Sequence, residues 1–288
     1  MSNTAHVDEL TRFIVQSLQE DVGDGDHTSL ACIPPDKRNA AQLLAKDTGI
    51  VAGVRFAQQV FKYVDPVSGF DILIPDGDQI SPGDIVFKVQ CNSQALLKAE
   101  RLVLNVMQRM SAISTQSRRF ADEVSDLKVK ILDTRKTTPL MRFLEKEAVA
   151  IGGCTNYRFG LYDRIMIKDN HIDACGGITQ AIDRVHAYLQ EHNLQLKITI
   201  EVRNLIELYE VLRKGQVDRI MLDNFEVPIL REAVDIIGER FETEASGGIS
   251  LLNVRQFAET GVDFISVGAL THSYGSLDLS LKVARKGL

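Results

Sequence analysis

The chain of 288 residues has no tryptophan, only seven prolines and only four cysteines, Cys32, Cys91, Cys154 and Cys175, which lie far apart. Without a Cys-x-x-Cys pair it encodes neither a zinc knuckle nor a thioredoxin-type couple, and the scattered thiols read as buried or incidental. No apolar run approaches the roughly 18 residues that a membrane helix requires. The first ten residues carry Asp8 and Glu9 where a secretory leader would place positive charge and then an apolar stretch, so a cytoplasmic location is expected. Excess positive charge is lacking too. A formal net charge of -6 argues against a general nucleic-acid binder, whose lysines and arginines must dominate at least one face. A Walker loop, a nucleophile elbow and a dinucleotide Gly-x-Gly-x-x-Gly pattern are all missing. What remains, 44% apolar and 25% charged, is a globular composition that can fill one large core or two domains.

Apolar spacing divides the chain. Leu10, Phe13, Ile14, Leu18 and Val22 mark one face of a helix over 7–21. From about Ala40 to Val89, short apolar runs at 42–45, 49–54, 70–74 and 84–89 are separated by turns such as Asp76-Gly77 and Pro82-Gly83, which predicts antiparallel strands. No glycine or proline interrupts 92–124. There Leu96, Ala99, Val103, Val106, Met110 and Ile113 form one stripe of a long helix or of two in series, while Arg101, Asn105 and Arg109 recur on another face. The rest alternates strand and helix. Strands are expected at 129–132, 164–167, 198–202, 219–222, 241–244 and 264–267, with helices at 140–151, 178–191, 205–214, 228–237 and 251–259. Apolar strands between amphipathic helices specify a parallel sheet covered by helices.

A polar cluster follows each strand: Asp133-Thr134-Arg135-Lys136, Lys168-Asp169-Asn170-His171, Glu201 with Arg203, Asp223-Asn224, Ser246-Gly247-Gly248, and Gly268-Ala269 with His272. The last four clusters start 22, 23 and 22 residues apart, the length of one βα unit. In a closed α/β barrel all strand ends meet at one rim, and these clusters would form one site there; an open doubly wound sheet is the competing architecture. Ser246-Gly247-Gly248 and Gly268-Ala269 offer bare N–H groups at expected helix starts, where the peptide dipoles favour a phosphate. Glu201 and Asp223, ending neighbouring strands side by side, call for magnesium or a sugar diol, although two carboxylates also describe a glycosidase. Between Asp133 and Lys168, seven basic and four acidic residues leave a local +3. Arg135, Lys136, Arg158 and Lys168 on the opposite half of the rim suit a ligand with more than one carboxylate. His171 and His272 lack a metal-ligand partner pattern and read as hydrogen-bonding residues.

Several ordered stretches carry a resemblance: Gly25-Asp26-x-Thr28, Glu100-Arg101-x-x-Leu104-Asn105, Asp133-Thr134-Arg135-Lys136-Thr137-Thr138-Pro139, Asn156-Tyr157-Arg158, Ile167-Lys168-Asp169-Asn170-His171, Met221-Leu222-Asp223-Asn224-Phe225 and Gly268-Ala269-Leu270-Thr271-His272-Ser273. Over nearly its whole length the sequence resembles the quinolinate phosphoribosyltransferase family of type II phosphoribosyltransferases. The resemblance implies an incomplete, open-faced α/β barrel over 114–274 and an N-terminal α/β sandwich over 1–113, with the tail 275–288 packed on the sandwich. It implies the conversion of quinolinate and phosphoribosyl pyrophosphate to nicotinate mononucleotide, pyrophosphate and carbon dioxide in NAD biosynthesis. The related molybdenum-associated pyrophosphorylase type is the runner-up.

By the same resemblance, Arg101, Arg135, Lys136, Arg158 and Lys168 hold the carboxylates, with Thr137 and Tyr157 also binding substrate. Lys136, Glu201 and Asp223 are the expected catalytic residues, the two carboxylates acting on the ribose and indirectly on its magnesium. Ser246, Gly247, Gly248, Gly268 and His272 surround the 5-phosphate. A homodimer with composite sites is expected, Arg101 reaching the neighbouring subunit's site, and no nucleic-acid or membrane partner. The family often has His, Gly, Gly and an acidic residue where this chain has Tyr157, Cys154, Leu140 and Arg203.

Overall fold

The structure, a computed structural model, describes residues 3–283 and divides into two units. The first comprises residues 1–116, 139–152 and 274–288, and the second residues 117–138 and 153–273. The segment Pro139–Gly152, placed in the barrel by the expected boundaries, groups with the first unit.

In chain order the first unit holds α1 (Asn3–Val22), α2 (His27–Cys32), β1 (Arg38–Ala45), β2 (Gly49–Ile50), α3 (Val54–Val64), β3 (Gly69–Ile72), β4 (Gln79–Ile80), β5 (Ile85–Asn92) and α4 (Ser93–Glu123) as far as Gln116. To these the chain adds α5 (Arg142–Ile151) and β12 (Leu279–Val283). Four strands form an antiparallel sheet in the order β12-β1-β5-β3, so chain-terminal β12 closes one edge with Leu43 opposite Leu281. The last five residues of the expected tail lie outside the described residues.

Helix α3 corrects the reading of 49–54 as a strand. Only Gly49 and Ile50 are extended, and from Val54 the buried Val54, Ala57, Val60 and Phe61 follow helical spacing. Gly53, at φ 94°, begins that helix without a capping side chain, which removed the usual start signal. Helix α4 is one unbroken element of 31 residues.

The second unit carries β6 (Lys130–Leu132), β7 (Ile165–Ile167), α6 (Asp169–Cys175), α7 (Ile178–Glu191), β8 (Ile198–Val202), α8 (Leu205–Lys214), β9 (Arg219–Asp223), α9 (Val227–Ile237), β10 (Glu242–Ser246), α10 (Val254–Ala258), β11 (Phe264–Ser266) and α11 (Ala269–His272). All six strands are parallel, in the order β6-β11-β10-β9-β8-β7. Each strand from β7 to β11 neighbours the next in sequence, and β6 then pairs with β11. A doubly wound sheet would instead reverse direction at an internal strand. The order is that of a barrel left open between its first two strands. Thr155 lies beside β6 on that open side, joined to Leu132 by a parallel bridge. Ile131, Ile200, Val202, Ile220, Leu222, Ala245 and Ile265 share one face of the sheet by register and form a buried apolar core there.

Candidate active site

The carboxyl ends of these strands enclose a cavity of about 650 Å³ in the second unit, lined by Arg135, Lys136, Tyr157, Arg158, Lys168, Glu201, Asp223, Ser246, Gly247, Gly248, Gly268 and His272 among others. Twelve expected site residues, from six strand ends and the segment after Thr155, therefore meet in one place. Two do not line it. Thr137 lies one residue beyond Lys136, and Arg101 is exposed on α4 within the first unit.

Arg135, Lys136 and Arg158 carry no carboxylate within ion-pair distance among the described residues. Arg135 Nε is buried without a hydrogen-bond partner. Burial first, and the Arg135 charge second, push the Arg158 guanidinium below its ordinary value. Lys136 crosses from the end of β6 to the end of β11. A Cβ at Gly268 would stand only 3.0 Å from both Lys136 Cδ and His272 Nε2, so glycine there permits the close approach. The Thr271 hydroxyl donates to the Lys136 carbonyl at 2.8 Å and fixes that loop.

Lys168 corrects the expected separation of a cationic half from an acidic half. Because β7 and β8 are neighbours, Lys168 Nζ reaches Glu201 Oε2 at 2.7 Å. The two carboxylates are also less close than adjacent strand ends suggested. Register sets Glu201 opposite Met221, and Asp223 lies two residues further along β9, an offset of roughly 6–7 Å. Asp223 is held by the Ser246 hydroxyl and the Asn224 amide, both at 2.6 Å. Each acid thus has its own partners, and the like-charge penalty is small.

The Ser246-Gly247-Gly248 turn does not open a helix. Helix α10 begins only at Val254 and has five residues, so the peptide dipole adds little, and anion binding here rests on the turn's own N–H groups. Neither Gly247 nor Gly248 donates its N–H to a described residue. Gly247, at φ 94°, packs against Asn224, whose backbone nitrogen would lie 2.9 Å from a Cβ. Any side chain would displace the Asn224–Asp223 contact.

Below the rim, the strands carry a second polar layer that reasoning from strand ends missed. Arg219 donates to Glu244 at 3.0 Å and to Glu242 at 2.9 Å and stacks on Phe264 at 3.7 Å. The Ser266 hydroxyl donates to the other Glu244 oxygen at 2.5 Å. Burial pushes the Glu244 carboxyl up, against the pull of Ser266 and Arg219. Tyr157 lies over this layer. Its hydroxyl meets Thr199 Oγ1 at 2.8 Å, its ring sits 5.1 Å from the Arg219 guanidinium, and burial pushes its pKa up to about 12. The signal for the layer was in the sequence: Arg219 heads the apolar run Ile220-Met221-Leu222 of β9, and Glu242 and Glu244 alternate along β10.

The family departures find places as well. Arg203 does not line the cavity; it pairs with Asp173 and Glu207 and ties the end of β8 to α6 and α8. Cys154 is buried, its thiol donating to the Ser117 carbonyl at 3.2 Å, with its pKa pushed up to about 12 mainly by burial. His171 accepts from the Lys168 backbone N–H at 2.9 Å and caps its own helix. Among the described residues no helix is long and apolar enough to cross a membrane, and no three His, Cys, Asp or Glu cluster as a metal site.

Comparison with known proteins agrees with this geometry. The family models described as the quinolinate phosphoribosyl transferase N-terminal and C-terminal domains match residues 26–111 and 113–282. Quinolinate phosphoribosyltransferase [decarboxylating] 1b of Nicotiana tabacum is 46% identical over 96% of this chain and 82% of its own length. The probable nicotinate-nucleotide pyrophosphorylase [carboxylating] of Bacillus subtilis is 40% identical over 96% of this chain and 93% of its own. Among solved structures, NadC from Streptococcus pyogenes superposes with a TM-score of 0.89 at 35% identity, covering 96% of this chain and 97% of its own. The nicotinate-nucleotide pyrophosphorylase of Francisella tularensis gives a TM-score of 0.88 at 35% identity and 96% coverage of both.

Proposed function

The chain belongs to the quinolinate phosphoribosyltransferase family, and from that premise we propose that it makes nicotinate mononucleotide from quinolinate and phosphoribosyl pyrophosphate, a step of NAD biosynthesis. One observation supports the reading above the others. The cavity sets three cations without carboxylate partners, Arg135, Lys136 and Arg158, in the same space as two anchored carboxylates and a glycine turn with free N–H groups. A dicarboxylate answers the cations, a ribose answers Glu201 and Asp223, and a phosphate answers Gly247 and Gly248.

In the reaction, the pyridine nitrogen lone pair bonds to ribose C1 as the C1–oxygen bond breaks, and that electron pair leaves with pyrophosphate. The 2-carboxylate then departs as carbon dioxide. Its bonding pair stays on C2 beside the cationic ring nitrogen and takes up a proton. No nucleophile from the protein is needed, so positioning and charge stabilisation carry the rate. Lys136 and Arg158 hold the dianion, and Lys168, bridged to Glu201, links acid and ribose. Magnesium enters with phosphoribosyl pyrophosphate: two separated carboxylates without a third ligand suit an ion already bound by phosphates better than a resident one. When bound, it neutralises the charge of the departing pyrophosphate.

Arg101, exposed on α4, fits a contribution to the site of a second copy. Hybrids of Arg101→Ala and Lys168→Ala chains then regain activity, each retaining one intact composite site; exchanged hybrids no better than the parents would remove Arg101 from the site. We place the reaction in the cytoplasm, where both substrates are dissolved polyanions, and cell fractionation checks this. The whole reading is tested by release of carbon dioxide and nicotinate mononucleotide from quinolinate. Product must form only when phosphoribosyl pyrophosphate and magnesium are both supplied, and its absence under those conditions overturns the assignment.

A further inference from the structure

The barrel's open side carries a second cavity. It has a volume of about 360 Å³ and lies along β7, with α6 and α7 forming its far wall. It shares Arg158 and Met166 with the larger cavity and adds Arg164 and Arg184 to an apolar lining that includes Ile165, Val185 and Tyr188. Three features point to an anion with an apolar body. First, neither Arg158 nor Arg184 has a carboxylate within ion-pair distance among the described residues. Arg164, only 14% exposed, is partly engaged: its Nε donates to Thr199 Oγ1 at 3.0 Å, its guanidinium lies 5.3 Å from the Tyr157 ring and 3.9 Å from Glu242, and only its Nη2 is without a hydrogen bond. Second, the carboxylate nearest in sequence, Asp163, is occupied by the backbone N–H groups of Phe159 and Gly160, at 2.6 and 3.0 Å. Third, β7 is an edge strand. Ile165 donates its N–H toward β8, so by strand alternation the Met166 N–H faces the open edge, where no described residue accepts it.

We propose that this edge cavity is a second binding site, for a monoanion with an aromatic or aliphatic body carrying one carboxylate or phosphate. The shared Arg158 makes its occupant an antagonist of the acid in the larger cavity. An apolar lining of this volume with a few convergent polar groups is the usual form of a small-molecule site. Two arginines without a carboxylate partner, Arg158 and Arg184, set the sign of the ligand, while Arg164 is engaged by Thr199 and Glu242. Coupling follows from geometry: a guanidinium turned toward the edge cavity is withdrawn from the rim, so each ligand weakens the other by the same factor. The coupling rests on the acid-binding role proposed for Arg158, whereas the site itself does not.

Equilibrium dialysis with 2-naphthoate, one carboxylate on an apolar body, tests the site directly. The unmodified protein should bind it saturably at one site that is absent from Val185→Trp, which fills the cavity, and weakened at least about tenfold in Arg184→Glu, which keeps the volume and reverses the charge. Neither residue lines the larger cavity, so turnover of quinolinate should be unchanged in both. No saturable binding, or an unaltered affinity in either folded variant, overturns the proposal. Calorimetric titration with quinolinate tests the antagonism: saturating 2-naphthoate should raise its Kd about fivefold or more, and not at all in Val185→Trp. An unmoved Kd with the site confirmed removes the coupling. If quinolinate fails to bind at all, the proposed reaction falls while the dialysis result still decides the edge site.

Discussion

The rim of the barrel and the layer beneath it contain the same residue types and use them in opposite ways. In the layer, every charged group has a protein partner: Arg219 is held by Glu242 and Glu244, and Glu244 by Arg219 and Ser266. At the rim, Arg135, Lys136 and Arg158 face a cavity with no carboxylate of their own. A buried charge without a partner is expensive. The inner layer pairs its cation with carboxylates of the protein, whereas the rim leaves three cations unpaired where a dianion can supply the missing charge. The pairing pattern, more than residue type, separates architecture from chemistry here.

Removing a partner from the inner layer should break that contrast most visibly. Glu244→Ala leaves Arg219 buried against one partly exposed carboxylate and should lower stability by about 3–5 kcal/mol, read as the shift in a urea midpoint. A change under 1 kcal/mol would mean that water or rearrangement satisfies Arg219 and that the layer is not charge-critical.

At the rim the same operation should spare stability and damage chemistry. Asp223→Asn should reduce turnover by about a hundredfold, the order of one lost electrostatic contact in a transition state. Titration with quinolinate alone should show little change, and a large loss of acid binding in folded protein would move Asp223 to the cationic wall. For Arg158→Met, quinolinate affinity should fall about 10–100-fold, the loss of one charged hydrogen-bonded contact. Nicotinate affinity should fall less, because the missing 2-carboxylate already leaves that cation unanswered. Equal losses for the two acids would show that Arg158 reads only their common carboxylate.

A smaller test uses pH. Burial raises Tyr157 from 10.0 to about 12, so the folded state holds this proton more tightly than the unfolded state does. The resulting stability is complete below pH 10 and is lost as pH rises through about 12. Between those limits the urea midpoint should fall less steeply for Tyr157→Phe than for the unmodified chain; parallel slopes would mean that the hydroxyl is not sealed in the inner layer. The smallest effect should come from outside both regions. Leu140, 81% exposed, stands at φ 64°, and Leu140→Gly should raise stability by up to about 1 kcal/mol by relieving left-handed strain. Thermal melting reads this directly, and a destabilised variant would mean that the strain is offset locally.

Much of this was legible before the structure. The six parallel strands and ten of the cavity residues follow from local periodicity, because polar residues begin where the apolar strands end, whereas Arg158 was read from the local excess of basic residues and Tyr157 only from the family resemblance. Helix α3 was hidden by its glycine start, and the five-residue α10 left the glycine turn without the helix dipole expected of it.

What the sequence by itself determined is the set of groups and the spacing that delivers them to one rim. That information is local, written in runs of about 22 residues. Only the tertiary structure decided which charges answer one another. The neighbouring positions of β7 and β8 join Lys168 to Glu201, the register of β9 sets Asp223 two residues beyond Glu201, and the gap between β6 and β7 leaves an edge strand beside a second cavity. Charge pairing depends on distances of a few ångströms between segments tens of residues apart, and no spacing along the chain specifies those.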